Sequence, residues 1–269
     1  MLYGNTFLKS RITSFSILII IGFLNIHTIY SQSKTIPINP ELENNSDRLK
    51  VKLDTQWGNK IPKIKFGDYR VVDSQNDWMK TKGKSNFWNT RSEYRTEHKF
   101  SFVLNHIEIG SVIVNTLSEV SMKEVESFKL FSLDNFDFYV GPDDDYSKTQ
   151  IFTSEITSEN GNGEVWSFYL AQTENSDIGS IDEGFLAYEN RFIFIKPISS
   201  NKNRNNSLIA PDAYGYEFFE HNKCLGAVQC RGRGISGNNK KVIWIKSDLE
   251  PKMKLILAAA MTVIIHTLK

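Results

Sequence analysis

From Ile61 to Lys246 the chain alternates short runs of aromatic and β-branched residues with clusters of Gly, Asn, Asp and Pro. Runs such as "FGDYRVVD", "HKFSFVLN", "EVWSFYLA" and "KKVIWIK" predict about twelve strands and an all-β domain. In "RFIFIKPI", Phe192 and Phe194 fall on one face while Ile193 and Ile195 fall on the other, a pattern that predicts a strand covered on both sides. Two stretches, "GFLAYENRFIFI" and "GYEFFEHNKCLGAV", repeat one plan: a glycine, an aromatic strand, a polar turn holding Asn190 or Asn222, and a basic residue opening the return strand. Asparagine accepts left-handed backbone at little cost, so both read as hairpins.

The chain ends differently. Between Leu255 and Ile265 Thr262 is the one polar residue, so the period predicts a helix with no face suited to water. Ser247 and Glu250 have the spacing of a capping box, Asp248 is an alternative N-cap, and Pro251 fits the first turn. The segment is shorter than the roughly 20 residues that span a bilayer. An apolar helix too short for a membrane calls for protein on every side, which a sheet closed into a barrel supplies. Leu255, Leu257, Ala259 and Ile264 are the expected core of that arrangement, and Ala258 to Ala260 would let strands come close.

In that order of elements "SDLEPKMKLILAAAMTVIIH", fed by "GYEFFEHNKCLGAVQ" and "KKVIWIK", resembles the tubby-like superfamily, which includes the tubby C-terminal domain, phospholipid scramblases and LURP-one-related proteins. The resemblance covers roughly Tyr214 to Leu268 and implies a β-barrel around a hydrophobic C-terminal helix. It carries no ligand residue to this chain.

At the other end, Lys9 and Arg11 precede an apolar run from Phe15 to Leu24, followed by small polar residues near Ser31. That is the layout of a cleaved signal peptide over residues 1–31, and it implies a periplasmic or extracellular protein that is not integral to the membrane once cleaved. Residues 32–60 are polar, with prolines and asparagines, and read as a linker; the domain is expected over 61–269. With 32 Lys and Arg against 31 Asp and Glu, no global field points to nucleic acid, and any anion site must be local.

The candidate chemistry is local too. "WMKTKGKSNFWNTRSEYR" sets Lys80, Lys82, Lys84, Arg91 and Arg95 among Trp88 and other aromatics, a composition suited to a phosphate headgroup or a sugar. Alternation puts the three lysines on one strand face, where they would also guard a sheet edge. Asp143, Asp144 and Asp145 are hard oxygen ligands of the kind calcium uses, in a segment that also reads as a turn. Cys224 and Cys230, six positions apart on one strand, would share a face at about 20 Å, too far to bridge, and read as free buried thiols. A nucleophile pair of His221 and Cys224 lacks an orienting acid. His266 reads as a core or helix-end residue. "CRGRGISGNNKK" lacks the Lys-Ser/Thr ending of a phosphate loop.

No motif asks for a cofactor. The residues therefore favour an exported, non-catalytic domain that binds an anionic lipid headgroup, a glycan or an envelope protein. The alternative is a hydrolase working through paired carboxylates drawn from Glu155, Glu159, Glu164, Asp182 and Glu183.

Overall fold

The computed structural model describes residues 35–85, 91–125, 128–133, 136–140, 145–159, 163–175, 179–200, 213–232 and 240–268. A short helix α1 (Pro40–Asn44) is followed by β1 (Ser46–Lys50), β2 (Lys52–Asp54), β3 (Lys63–Phe66), β4 (Tyr69–Asn76), β5 (Lys80–Ser85) and β6 (Arg91–His106). Next come β7 (Gly110–Val125), β8 (Phe128–Leu133), β9 (Phe136–Val140), β10 (Asp145–Ser158), β11 (Val165–Asn175) and β12 (Gly179–Tyr188). The chain then forms β13 (Arg191–Ser199), β14 (Tyr214–Glu220), β15 (Lys223–Arg231), β16 (Val242–Lys246) and the helix α2 (Pro251–Thr267).

Fourteen strands make one sheet in the order β1-β16-β15-β14-β13-β12-β11-β10-β7-β6-β4-β3-β2, with β5 beside β6; β8 and β9 pair separately. The expected twelve are β4 and β6 to β16. The strands that the pattern missed are β1, β2, β3 and β5. SDRLK, KLD and KTKGKS are polar and extended because a neighbour offers hydrogen bonds, which periodicity cannot register; KIKF alternates, with Ile64 and Phe66 buried, over only four residues. β4 and β5 lie in line along β6, pairing with its C-terminal and N-terminal parts.

The sheet nearly closes into a barrel, and covalent continuity makes the seam. β1 pairs with β16 while β2 pairs with β3, and Val51 joins them, its N–H donating to the Lys241 carbonyl at 3.1 Å. Inside, Phe102, Leu104, Phe152, Leu170, Ile193 and Phe218 pack around α2 in one continuous core. Leu255, Leu257, Ala259 and Ile264 of α2 are all buried, and the Thr262 hydroxyl donates back to the Ala258 carbonyl at 2.7 Å, so the lone polar residue leaves no unmet donor. At Gly226 a Cβ would stand 2.6 Å from Met261 Cε and 2.8 Å from the Trp244 carbonyl oxygen; only glycine lets β15 pass so near the helix.

The ends of α2 differ from a capping box. Glu250 is the N-cap with Pro251 directly after it, and no side chain caps the first turn. Ser247 instead offers its carbonyl to Lys254 Nζ at 2.6 Å. At the other end Lys241 Nζ donates to the carbonyls of Ile265 and Leu268 at 3.2 and 3.1 Å, meeting the orphan acceptors and the negative pole of the helix together.

Residues 35–54, expected within a linker, are structured. Ile36, Ile38 and Leu42 are buried against Ala213, Cys224, Ala227, Val242 and Trp244 on the outside of β14 to β16. The Ile36 N–H donates to Gln229 Oε1 at 3.0 Å, and Gln229 Nε2 reaches the Lys240 carbonyl at 2.7 Å. The Asn39 N–H donates to Glu217 Oε1 at 2.6 Å, while burial pushes the Glu217 carboxyl up against that bond. Three apolar residues spaced among polar ones are enough here, because the barrel wall supplies the rest of the core.

Candidate ligand-binding groove

The pattern of "RFIFIKPI" resolves in an unexpected way. Ile193 and Ile195 are buried, but Phe192 and Phe194 stay 48% and 56% exposed on the barrel exterior. A strand expected to be covered on both sides is thus covered on one. The exposed face continues across its neighbours: Phe194 stands opposite Phe185, and Phe185 opposite Tyr169. Tyr169 and Phe185 stack with ring centroids 5.3 Å apart at 22°, and Phe185 meets Phe192 edge-on at 6.3 Å. These outward rings are partners to inward ones because successive side chains alternate; Phe168, Leu170 and Leu186 point into the core.

This aromatic platform forms one end of a groove of about 650 Å³ on the outer face of the sheet. Its floor is read from the strand register. One row runs Gln75, Ser101, Asn115, Glu155, Ser167 across β4, β6, β7, β10 and β11. A parallel row runs Lys99, Leu117, Thr153, Tyr169, Phe185, and the Asp77 N–H donates to the Lys99 carbonyl at 2.9 Å beside it. From β4 to β12 the groove crosses five strand spacings, roughly 24 Å, and its volume is of the size that takes a ligand.

The expected anion site has another character. Lys80, Lys82 and Lys84 are exposed on one face of β5, directly opposite Glu97, Arg95 and Glu93 of β6. Arg95 is itself paired with Glu119 and with Glu97, and the Glu119 bond, above all, raises the Arg95 pKa. The face carries alternating signs. Arg91 opens β6, and Trp88 lies outside the described residues. Asp143 and Asp144 also lie outside them, and Asp145 opens β10. Among the described residues no group of three or more His, Cys, Asp or Glu could hold a metal ion, and no helix is long and apolar enough to cross a membrane.

Cys224 and Cys230 are free and buried. They are on opposite faces of β15 rather than the same one: Cys224 belongs to the outer cluster and Cys230 to the barrel core. The register shifts at Phe218/Phe219, where Leu225 is the extra residue between Cys224 and Gly226, and that one bulge between the two cysteines reverses which way the following residues point. Burial pushes both thiols up to about 12. His221 and Asn222 occupy the β14–β15 turn with φ of 45° and 68°, and Glu189 takes φ of 50° in the β12–β13 turn. In the first hairpin, then, it is the glutamate beside Asn190 that adopts the left-handed backbone.

Those turns border a second cavity of about 580 Å³ at the N-terminal end of α2. Two ion pairs stand in its wall, beside Glu189 and Glu250. Arg191 forks onto both Glu220 oxygens and lies 5.6 Å over the Trp166 ring; that bond holds the Glu220 carboxyl below its usual range. Lys252 pairs with Glu164 at 2.5 Å. At the opposite mouth, Tyr214 donates to Asp182, the Tyr214 and Tyr216 hydroxyls lie 2.6 Å apart, and Gln172 Nε2 donates to the latter at 2.6 Å. Burial first raises the pKa of both phenols; the Asp182 charge comes next for Tyr214, and the neighbouring Tyr214 comes next for Tyr216. Of the five carboxylates expected for a hydrolase, Glu164 and Asp182 are thus at opposite ends of the barrel, and Glu155 alone lines the groove.

No protein-family model, no curated protein and no solved structure matches this chain.

Proposed function

We propose that the protein is an exported, non-catalytic binding domain whose ligand lies across the barrel exterior in the groove that ends on Tyr169 and Phe185. The observation that carries this reading is the open aromatic face of β11 to β13, since a large apolar patch left to water on an otherwise well-packed domain marks an interaction surface. Asp77 and Glu155 both line the groove, but their backbone positions are three strand spacings apart, roughly 14 Å. A glycosidase needs its two carboxyl groups about 5 to 9.5 Å apart, and the wider backbone spacing supports binding over hydrolysis as the reading of this groove. Export rests on the basic and apolar N-terminal pattern around Lys9, Arg11 and Phe15 to Leu24. The tubby-like reading is supported by the enclosed helix and supplies no ligand.

Recognition of anionic headgroups by Lys80, Lys82 and Lys84 has less support, because glutamates stand opposite two of them. One experiment separates the two surfaces. Residues 32–269 are run by affinity electrophoresis through soluble polysaccharides, heparin and casein, and by flotation with anionic and neutral vesicles at low and physiological salt. Loss of retention in Tyr169→Ala/Phe185→Ala, with the Lys80/Lys82/Lys84→Ser triple variant unaffected, is the expected result. Salt-sensitive vesicle binding that only the lysine variant loses would overturn the groove in favour of the strand.

A further inference from the structure

We infer that the occupant of the groove is an uncharged polysaccharide strand lying across the β-strands; this rests on the groove being the binding site. The argument begins with charge. The groove holds Asp77 and Glu155 against Lys99, one net negative charge that does not attract a polyanion and is too small to concentrate a polycation. Heparin-like chains, nucleic acids and acidic lipid surfaces all need clustered lysine or arginine, and the groove has one lysine.

Peptides are disfavoured for a separate reason. An extended peptide gains most of its affinity by adding to a free sheet edge, yet β4, β6, β7, β10, β11 and β12 are hydrogen-bonded to one another along the groove. The backbone there has no edge to offer, so recognition falls to side chains.

Those side chains suit sugars. Gln75, Ser101, Asn115, Thr153 and Ser167 project outward in two adjacent rows, and amides and hydroxyls both donate and accept, as each sugar hydroxyl does. A pyranose also has an apolar C–H face, for which a flat ring is the natural partner; Tyr169 and Phe185 present such rings, stacked at 22°, with Phe192 and Phe194 extending the platform. A track of roughly 24 Å with aromatic rings at one end and hydrogen-bonding groups along the rest fits an oligosaccharide of several rings better than a monosaccharide.

The test is calorimetry on residues 32–269 with cellohexaose, chitohexaose, laminarihexaose and mannohexaose, their disaccharides, and heparin and casein as controls. We expect one of the hexasaccharides to bind at least about ten-fold more tightly than its disaccharide, with little dependence on salt. Tyr169→Ala/Phe185→Ala should weaken it about ten-fold or more, in line with the worth of aromatic contacts. Asn115→Ala, an exposed polar change, should weaken it without altering the thermal melt. Binding of heparin or casein that the aromatic variant abolishes would overturn the polysaccharide and leave the groove standing. Absence of binding by every hexasaccharide at millimolar concentration, or binding that neither variant weakens, overturns the inference.

Discussion

Two outward faces of the same barrel can be set side by side. On β14 to β16 the outer residues Cys224, Ala227, Val242 and Trp244 are apolar, and residues 35–45 fold over them. On β11 to β13 the outer residues Tyr169, Phe185, Phe192 and Phe194 are apolar as well, yet Phe192 and Phe194 remain about half exposed. Similar composition has two outcomes, and the difference is whether the chain provides a cover. The covered face adds stability to the fold. The open face has its aromatic rings still available to a ligand.

The comparison can be broken, or sharpened, by four measurements. Ala259→Asp places a charge among the buried residues of α2 with no partner, and the domain should fail to fold, read as loss of strand circular dichroism and of any cooperative melt. Leu42→Ala removes the centre of the cover formed by residues 35–45, and urea unfolding should show a loss of about 2–4 kcal/mol. The thiols give a pH test that samples both faces of β15. Burial raises Cys224 and Cys230 to about 12, so the folded protein keeps both protonated while unfolded thiols ionise from about pH 8.5. Their contribution to stability is complete below that range and is lost as pH climbs toward 12; the urea midpoint should fall between pH 8 and pH 10, and should fall less in Cys224→Ala/Cys230→Ala. Last, Phe192→Thr with Phe194→Thr should change stability by no more than about 1 kcal/mol, because these rings are not core. A loss as large as that of Leu42→Ala would show that the open face is structural.

Much of the architecture could be read from the residues. The helix from Leu255 onward announces its enclosure, since no side of it tolerates water, and the aromatic runs became strands, except that "FGDYRVVD" holds the Gly67-Asp68 turn between β3 and β4. What escaped was set by contacts distant in sequence. β1 is extended because residues 242–246 lie beside it, and nothing in SDRLK foretells that. Residues 35–45 carry the composition of a linker because Ile36, Ile38 and Leu42 are too few to form a core of their own. Alternation alone gives the two cysteines one face, because the bulge at Phe218/Phe219 between them has no marker in the sequence. The groove was hidden in the same manner: "RFIFIKPI" shows two apolar faces, and only the fold shows that one of them has no cover. Lys80, Lys82 and Lys84 drew attention as a run, while their opposing glutamates, on β6, depend on pairing.

The seam at Val51 also sets the order of events in time. Residues 46–50 must find residues 242–246, and the interior must receive α2, which follows them. A ribosome releasing this chain therefore holds an open sheet, apolar on its inner side, until almost the whole domain has been made. Such long-range pairing folds slowly and exposes sticky surface meanwhile. The barrel can close only after α2 is in place, so the apolar inner side of the sheet stays open to solvent until the last element of the domain has joined it.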